Sequence, residues 1–182
     1  LKKDKSLVVG DLIIDEYIFG NVLGKAGKEP HLVFNKEKQE RYIGGSSIIA
    51  NHLSDFLNNI TLISDIGNES EIKNLLKINL KKNVRHIAIK PSPNHMSCIK
   101  TRFVDTVTKY KLFGAYKIPN LDTFRFHKLL NKSLNTHIKK HDVIILADYS
   151  NNFFDKSSVN KIRKSKKFIS AMAQKNSNVS AF

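Results

Sequence analysis

The chain has 182 residues, 41% of them apolar, and a formal net charge of +15. That length suits one domain or most of one and allows a real core. No window approaches the ~18 consecutive apolar residues of a membrane span, and no His or Cys spacing such as His-Glu-x-x-His points to a zinc site. The single cysteine, Cys98, cannot form an internal disulfide and fits a reducing cytoplasm. The lysines are spread along the chain instead of forming one block. Such a spread, in a Lys-, Asn- and Ile-rich sequence, argues against nucleic acid as the partner.

Leu7-Val8-Val9 is a short β-branched run that predicts a strand buried on both faces. Gly10 ends it, and Asp11 and Asp15 follow. An open α/β sheet places ligands at the carboxyl ends of its strands, so these carboxylates are candidates to hold a polyhydroxylated or cationic ligand. A turn Asp and a helix-cap Asp would read the same way. Tyr17, Phe19 and Leu32-Val33-Phe34 predict strand segments around a turn from Gly24 to Pro30. That turn lacks the order of a phosphate-binding loop.

Gly44-Gly45 precedes an apolar stripe of Ile49, Leu53, Phe56 and Leu57, which predicts a helix packed on a sheet. A glycine pair there allows close backbone approach to a ligand, or marks a flexible turn. Ile60–Ser64 predicts the next buried strand, and Ser70–Lys82 a helix with Ile72, Leu75, Leu76 and Leu80 inward. Val84–Ile89 predicts a further strand, broken by Pro91 and Pro93. Residues Ser97 to Val107 and Tyr110 to Tyr116 predict a β-hairpin carrying Lys100 and Arg102. Asn120–Lys140 predicts a long helix with Leu121, Phe124, Leu129, Leu130, Leu134 and Ile138 inward. Val143–Ala147 is the clearest core strand, and Asp148-Tyr149-Ser150 lies at its carboxyl end. A short basic helix over Ser157–Lys166, a strand over Phe168–Ala173 and a loop from Gln174 to Asn178 complete the reading. The alternation of strands and helices predicts an α/β fold with a mainly parallel sheet covered on both faces.

Gly10-Asp11 with Asp15 and Gly20, followed by Gly44-Gly45, resembles the opening of ribokinase-like (PfkB) carbohydrate kinases. The nearest branch is the heptose-phosphate kinase half of the bifunctional ADP-heptose synthases, whose Asp-Tyr resembles Asp148-Tyr149. The resemblance implies a three-layer αβα sandwich with a small β lid, formed here by segments of about 16–43 and 97–116. It implies ATP-dependent phosphorylation of a sugar or sugar-phosphate hydroxyl. Asp11, Asp15, Gly44, Gly45, Asn51, Lys100, Arg102 and Asp148 are the substrate-side candidates, the two cations for a substrate phosphate. It further implies a homodimer through lid strands and a possible fused nucleotidyltransferase.

Two positions depart from that branch. Its Asn after the glycine pair is replaced by Ile48 or Ile49, and the Lys or His and Gly after its Asp-Tyr by Asn151-Asn152. No glycine follows Gly114, so the family's glycine-rich anion turn and its catalytic Asp are expected beyond Phe182, with most of the ATP and Mg²⁺ contacts. The expectation is therefore the N-terminal part of such a kinase, with the C-terminal half of the fold outside the chain. The alternative is a degenerate, non-catalytic sugar-binding or regulatory module fused to a nucleotidyltransferase.

Overall fold

The computed structural model describes residues 4–120 and 122–174. Its centre is a five-stranded parallel sheet of β1 (Lys5–Gly10), β4 (Asn59–Asp65), β5 (Val84–Ile89), β8 (Val143–Asp148) and β9 (Phe168–Ala173), in the order β5-β4-β1-β8-β9. Leu7, Val8 and Val9 of the middle strand are wholly buried, because alternate residues point into two different helix layers. Leu7, Val9, Ile144 and Leu146 pack under α3 (Thr123–His137) and α4 (Lys156–Arg163). On the other face Val8, Ile60 and Leu62 pack under α1 (Ser46–Leu53).

A second sheet joins β2 (Leu12–Lys25), β3 (Leu32–Gly45), β6 (Cys98–Asp105) and β7 (Lys111–Lys117) in the order β3-β2-β6-β7. β2 runs antiparallel to β3 and parallel to β6, and β6 and β7 form the expected hairpin. This sheet begins at Leu12, four residues before the expected lid boundary of 16. The reason is apolar: Leu12, Ile14 and Ile43 are buried against Ile66 and against Ile72 and Leu76 of α2 (Ser70–Asn79). The root of the small sheet thus has its own core.

Helix ends differ from the sequence expectation where caps and side chains decide them. α1 stops at Leu53, and Phe56 is 71% exposed while Leu57 is buried. α2 ends at Asn79, three residues short of Lys82. There the Asn51 amide donates to the Asn79 carbonyl at 2.7 Å and its oxygen accepts from the Lys81 N–H at 3.1 Å. α3 starts at Thr123 because the Asp122 carboxylate accepts from the Arg125 N–H, and a 3-10 turn over Ile138–Lys140 extends it.

That start sets the helix register. Phe126, Leu130, Leu134 and Ile138, four residues apart, form the buried stripe. Phe124 sits two residues off the stripe and is 82% exposed, contrary to expectation. Leu121 and residues 175–178 lie outside the described residues. α4 is held by a capping box between Asp155 and Ser158.

The register is testable by denaturation. Phe126→Ala should cost about 3–5 kcal/mol of unfolding free energy as a core cavity. Phe124→Ala should stay within about 0.5 kcal/mol. Equal losses for the two would contradict the described face of α3.

Candidate functional site

The carboxyl ends of β4, β1 and β8 lie side by side, and each carries an aspartate: Asp65, Asp11 just past β1, and Asp148. Asp11 is tied on every side. Its N–H donates to the Ala147 carbonyl at 3.1 Å, its carbonyl accepts from the Ser46 N–H at 2.8 Å, and its Oδ2 accepts from the Tyr149 N–H at 2.7 Å. Only 2% of the residue is exposed. Burial pushes its carboxyl up to about 7; the Tyr149 N–H opposes this, and the charges of Asp65 and Asp148 add to it. Asp65 accepts from the Leu12 N–H at 3.2 Å and lies 3.4 Å from Nε2 of the buried His95. Asp148 accepts from the Ser150 N–H at 2.9 Å, folding the chain into a local turn. Asn152 takes φ 60°, a conformation that Asn tolerates better than most residues.

The glycine pair ends β3 and caps α1. Gly45 has φ 62°, and a Cβ there would fall 2.4 Å from the Asp11 carbonyl oxygen. At Gly44 a Cβ would fall 2.3 Å from Oδ2 of Asp15. The close approach that needs glycine is therefore to the two aspartates of the chain itself.

Above this floor, β2 and β6 present the other candidates. Asp15 Oδ1 accepts from Nη1 of Arg102 at 2.6 Å, with the two side chains 28% and 22% exposed. The Arg102 guanidinium lies 5.4 Å from the Tyr17 ring centroid, and its pKa is raised first by the hydrogen bond to Asp15. Lys100 reaches across the crevice. Its ammonium is 5.8 Å from the ring centroid of Tyr116 on β7 and 5.9 Å from that of Tyr149 after β8. Burial, then the charges of Asp15 and Asp11, push the Tyr149 phenol up.

Asp15, Arg102 and Gly44 thus meet on the second sheet, and Lys100 reaches from there to Tyr149, next to Asp148, so the space between the two sheets is the candidate crevice. Asn51 does not serve it, since both ends of its amide are spent on the backbone at the C-terminal end of α2. Asp11 spends Oδ2 and both its backbone groups on internal bonds. The sequence points to Tyr149 only as the neighbour of Asp148, and it does not single out Asp65 or His95 as site residues, because the Asp65–His95 contact joins segments that no spacing connects.

The crevice supplies carboxylate and phenol oxygens for hydroxyl groups and two cations for an anionic oxygen. Among the described residues no group of three or more His, Cys, Asp or Glu is arranged to hold a metal ion, and no helix is long and apolar enough to cross a membrane.

Solved structures share this two-sheet arrangement. Ribokinase from Arabidopsis thaliana, solved with ribose and ATP, matches 92% of this chain with a TM-score of 0.63 at 12% identity, using 53% of its own length. Ribokinase from Thermotoga maritima matches 92% with a TM-score of 0.60 at 13% identity, using 52% of its length. The fold is ribokinase-like.

In sequence, the chain is 28% identical to the bifunctional protein HldE of Aliarcobacter butzleri over 151 residues. It is 25% identical to HldE of Helicobacter pylori strain P12 over 163 residues. These matches cover 81% and 83% of the chain but 31% and 32% of the relatives, so the chain spans about a third of the length of the curated relatives it matches. No protein-family model matches it.

The elevated carboxyl of Asp11 has a stability signature. In the pH window from about 4 to about 7 the folded form holds a proton that the unfolded form releases, so Asp11 makes stability fall as pH rises through that window. The gap corresponds to at most about 4 kcal/mol. In urea unfolding at pH 5 and pH 8, the wild type should lose more stability on going to pH 8 than Asp11→Asn does. Parallel pH dependences would place the proton elsewhere.

Proposed function

We propose that this chain is the sugar-binding and lid part of an ATP-dependent carbohydrate kinase that phosphorylates a sugar or sugar-phosphate hydroxyl. The observation that carries the reading is the Asp15–Arg102 pair over Gly44: Oδ1 is held by the guanidinium, and Oδ2 lies beside the glycine. Asp15 accepts sugar hydroxyls, while Lys100 and Arg102 face a phosphate of the substrate. Asp148 and the Gly44-Gly45 turn border the same space. Asp11 acts by holding the ends of β1 and β8 and the start of α1 in place.

The second sheet is the lid over this crevice. The outer edge of β7 is open along Leu112, Phe113 and Tyr116, all exposed, which supports lid pairing in a homodimer. ATP supplies the phosphoryl group, and Mg²⁺ neutralises charge on its phosphates. A fused nucleotidyltransferase, as in the bifunctional ADP-heptose synthases, and a place in the cytoplasm belong to the same reading. The non-catalytic alternative rests on Ile48 and Ile49, which stand where the resembled branch places an Asn.

In the full-length protein, Asp15→Ala should weaken sugar binding by about 1.5–3 kcal/mol, as for a lost charge-assisted hydrogen bond. Calorimetric titration of heptose phosphates and common sugars reads this directly, and an unchanged affinity for the sugar that binds would remove Asp15 from the site. Sugar binding with no ATP turnover would select the non-catalytic reading.

Hydrogen exchange tests the lid. Amides of β6 and β7 should exchange faster than those of β8 and should slow when sugar is added, because β8 lies between helix layers. Equal protection with and without sugar would make the second sheet a fixed wall.

A further inference from the structure

A groove of about 590 Å³ lies between α3 and α4, on the helix layer and at the end of it away from the aspartates. Its walls carry Lys139, Lys161, Lys164 and Lys167, with Asn160 between them, over a floor that includes Leu134. No carboxylate lines it. Two of the lysines, Lys161 and Lys167, are half-buried. The Lys161 ammonium is fixed by donating to the Asn131 carbonyl at 3.2 Å. Lys166 takes φ 56° and turns the chain after α4, so that Lys164 and Lys167 line the same groove. Among the described residues no ion pair neutralises any of the four.

Four like charges around one groove repel one another and have no carboxylate among them to offset this, as Glu40 does for Lys38 and Asp55 for Lys81. We infer that the α3–α4 groove is a second anion site that binds a compact polyphosphate, either free or as the phosphate tail of a nucleotide. The size selects the class. The volume lies in the range of small-molecule sites, roughly 300–1,000 Å³, whereas a nucleic acid would need a basic stripe running beyond one groove. A single phosphate would leave most of the four ammonium groups unpaired. Three linked phosphates offer enough anionic oxygens for all four and hold their charge within the groove.

The test is calorimetric titration of the full-length protein with sodium tripolyphosphate at fixed ionic strength, comparing wild type with a Lys139→Gln, Lys164→Gln, Lys167→Gln triple variant. All three substitutions are at the groove wall and outside the crevice, so folding and any sugar-dependent turnover should persist. Tripolyphosphate affinity should fall at least tenfold in the variant, and the wild type should bind inorganic phosphate far more weakly than tripolyphosphate. If ATP displaces tripolyphosphate from the groove and AMP does not, the source is a nucleotide tail; if neither does, it is free polyphosphate. Equal affinity in wild type and variant would overturn the site, above all with a lowered melting temperature, which would make the lysines caps of helix C-termini. Monophosphate binding as tight as tripolyphosphate would reduce the groove to counterion screening. Tighter binding of a 12-nucleotide single strand, lost in the variant, would replace polyphosphate by nucleic acid.

Discussion

The fold turns on one residue, Asp11, at the point where β1 leaves the sheet. Its N–H, carbonyl and carboxylate bind the end of β8, the start of α1 and the chain after β8. These segments are far apart in sequence, and their meeting point is the floor of the crevice. The carbonyl–Ser46 bond is possible because Gly45 has no Cβ to block it. A residue with a side chain there would have to move either α1 or the β1–β2 link. The glycine pair is therefore a packing requirement before it is a ligand contact.

The small sheet is aligned by the alternation of β2. Asp15 and Tyr17 point into the crevice, and Glu16 between them points the other way. Glu16 accepts from Thr101 Oγ1 at 2.6 Å, Arg41 Nε at 2.6 Å and Gln39 Nε2 at 2.5 Å. Arg41 continues to Glu71 of α2 at 2.6 Å. Burial alone would raise the Glu16 carboxyl, but these donors outweigh it and hold it below the usual range. One strand thus shows a reachable carboxylate on one face and a clamped one on the other. A slip of one residue would exchange the two and remove both the crevice acid and the clamp.

The parallel sheet was legible because its strands are near-continuous apolar runs, and Val84–Ile89 and Phe168–Ala173 have the bounds that pattern predicts. The places of Asp11 and Asp148 at the ends of β1 and β8 were legible in the same way. What stayed hidden depends on contacts rather than on period. Phe124 and Phe126 are both apolar neighbours of one helix start, and only the Asp122 cap decides which faces inward. Asn51 looked like a ligand because it follows the glycine pair, yet its partners lie at the C-terminal end of α2, at Asn79 and Lys81. The Asp65–His95 contact was invisible for the same reason.

Asp11 and Asp15 lie four residues apart and divide the work of the site between burial and access. Asp11 is almost wholly enclosed, and a carboxyl pushed to about 7 by burial changes charge near neutral pH. Such a group is poorly suited to hold a hydroxyl through a fixed negative charge, and its Oδ2 is already occupied. Asp15 is more than a quarter exposed and has a guanidinium on one oxygen only. A carboxylate has two oxygens with separate lone pairs, so Arg102 can orient Asp15 without blocking it. Closing the second sheet over a sugar would then remove from water an acid that already has its counter-charge in contact, which lowers the cost of burying it. In the proposed function the ion pair is in this sense part of the binding surface, and Arg102 would act on Asp15 before it acts on any substrate phosphate.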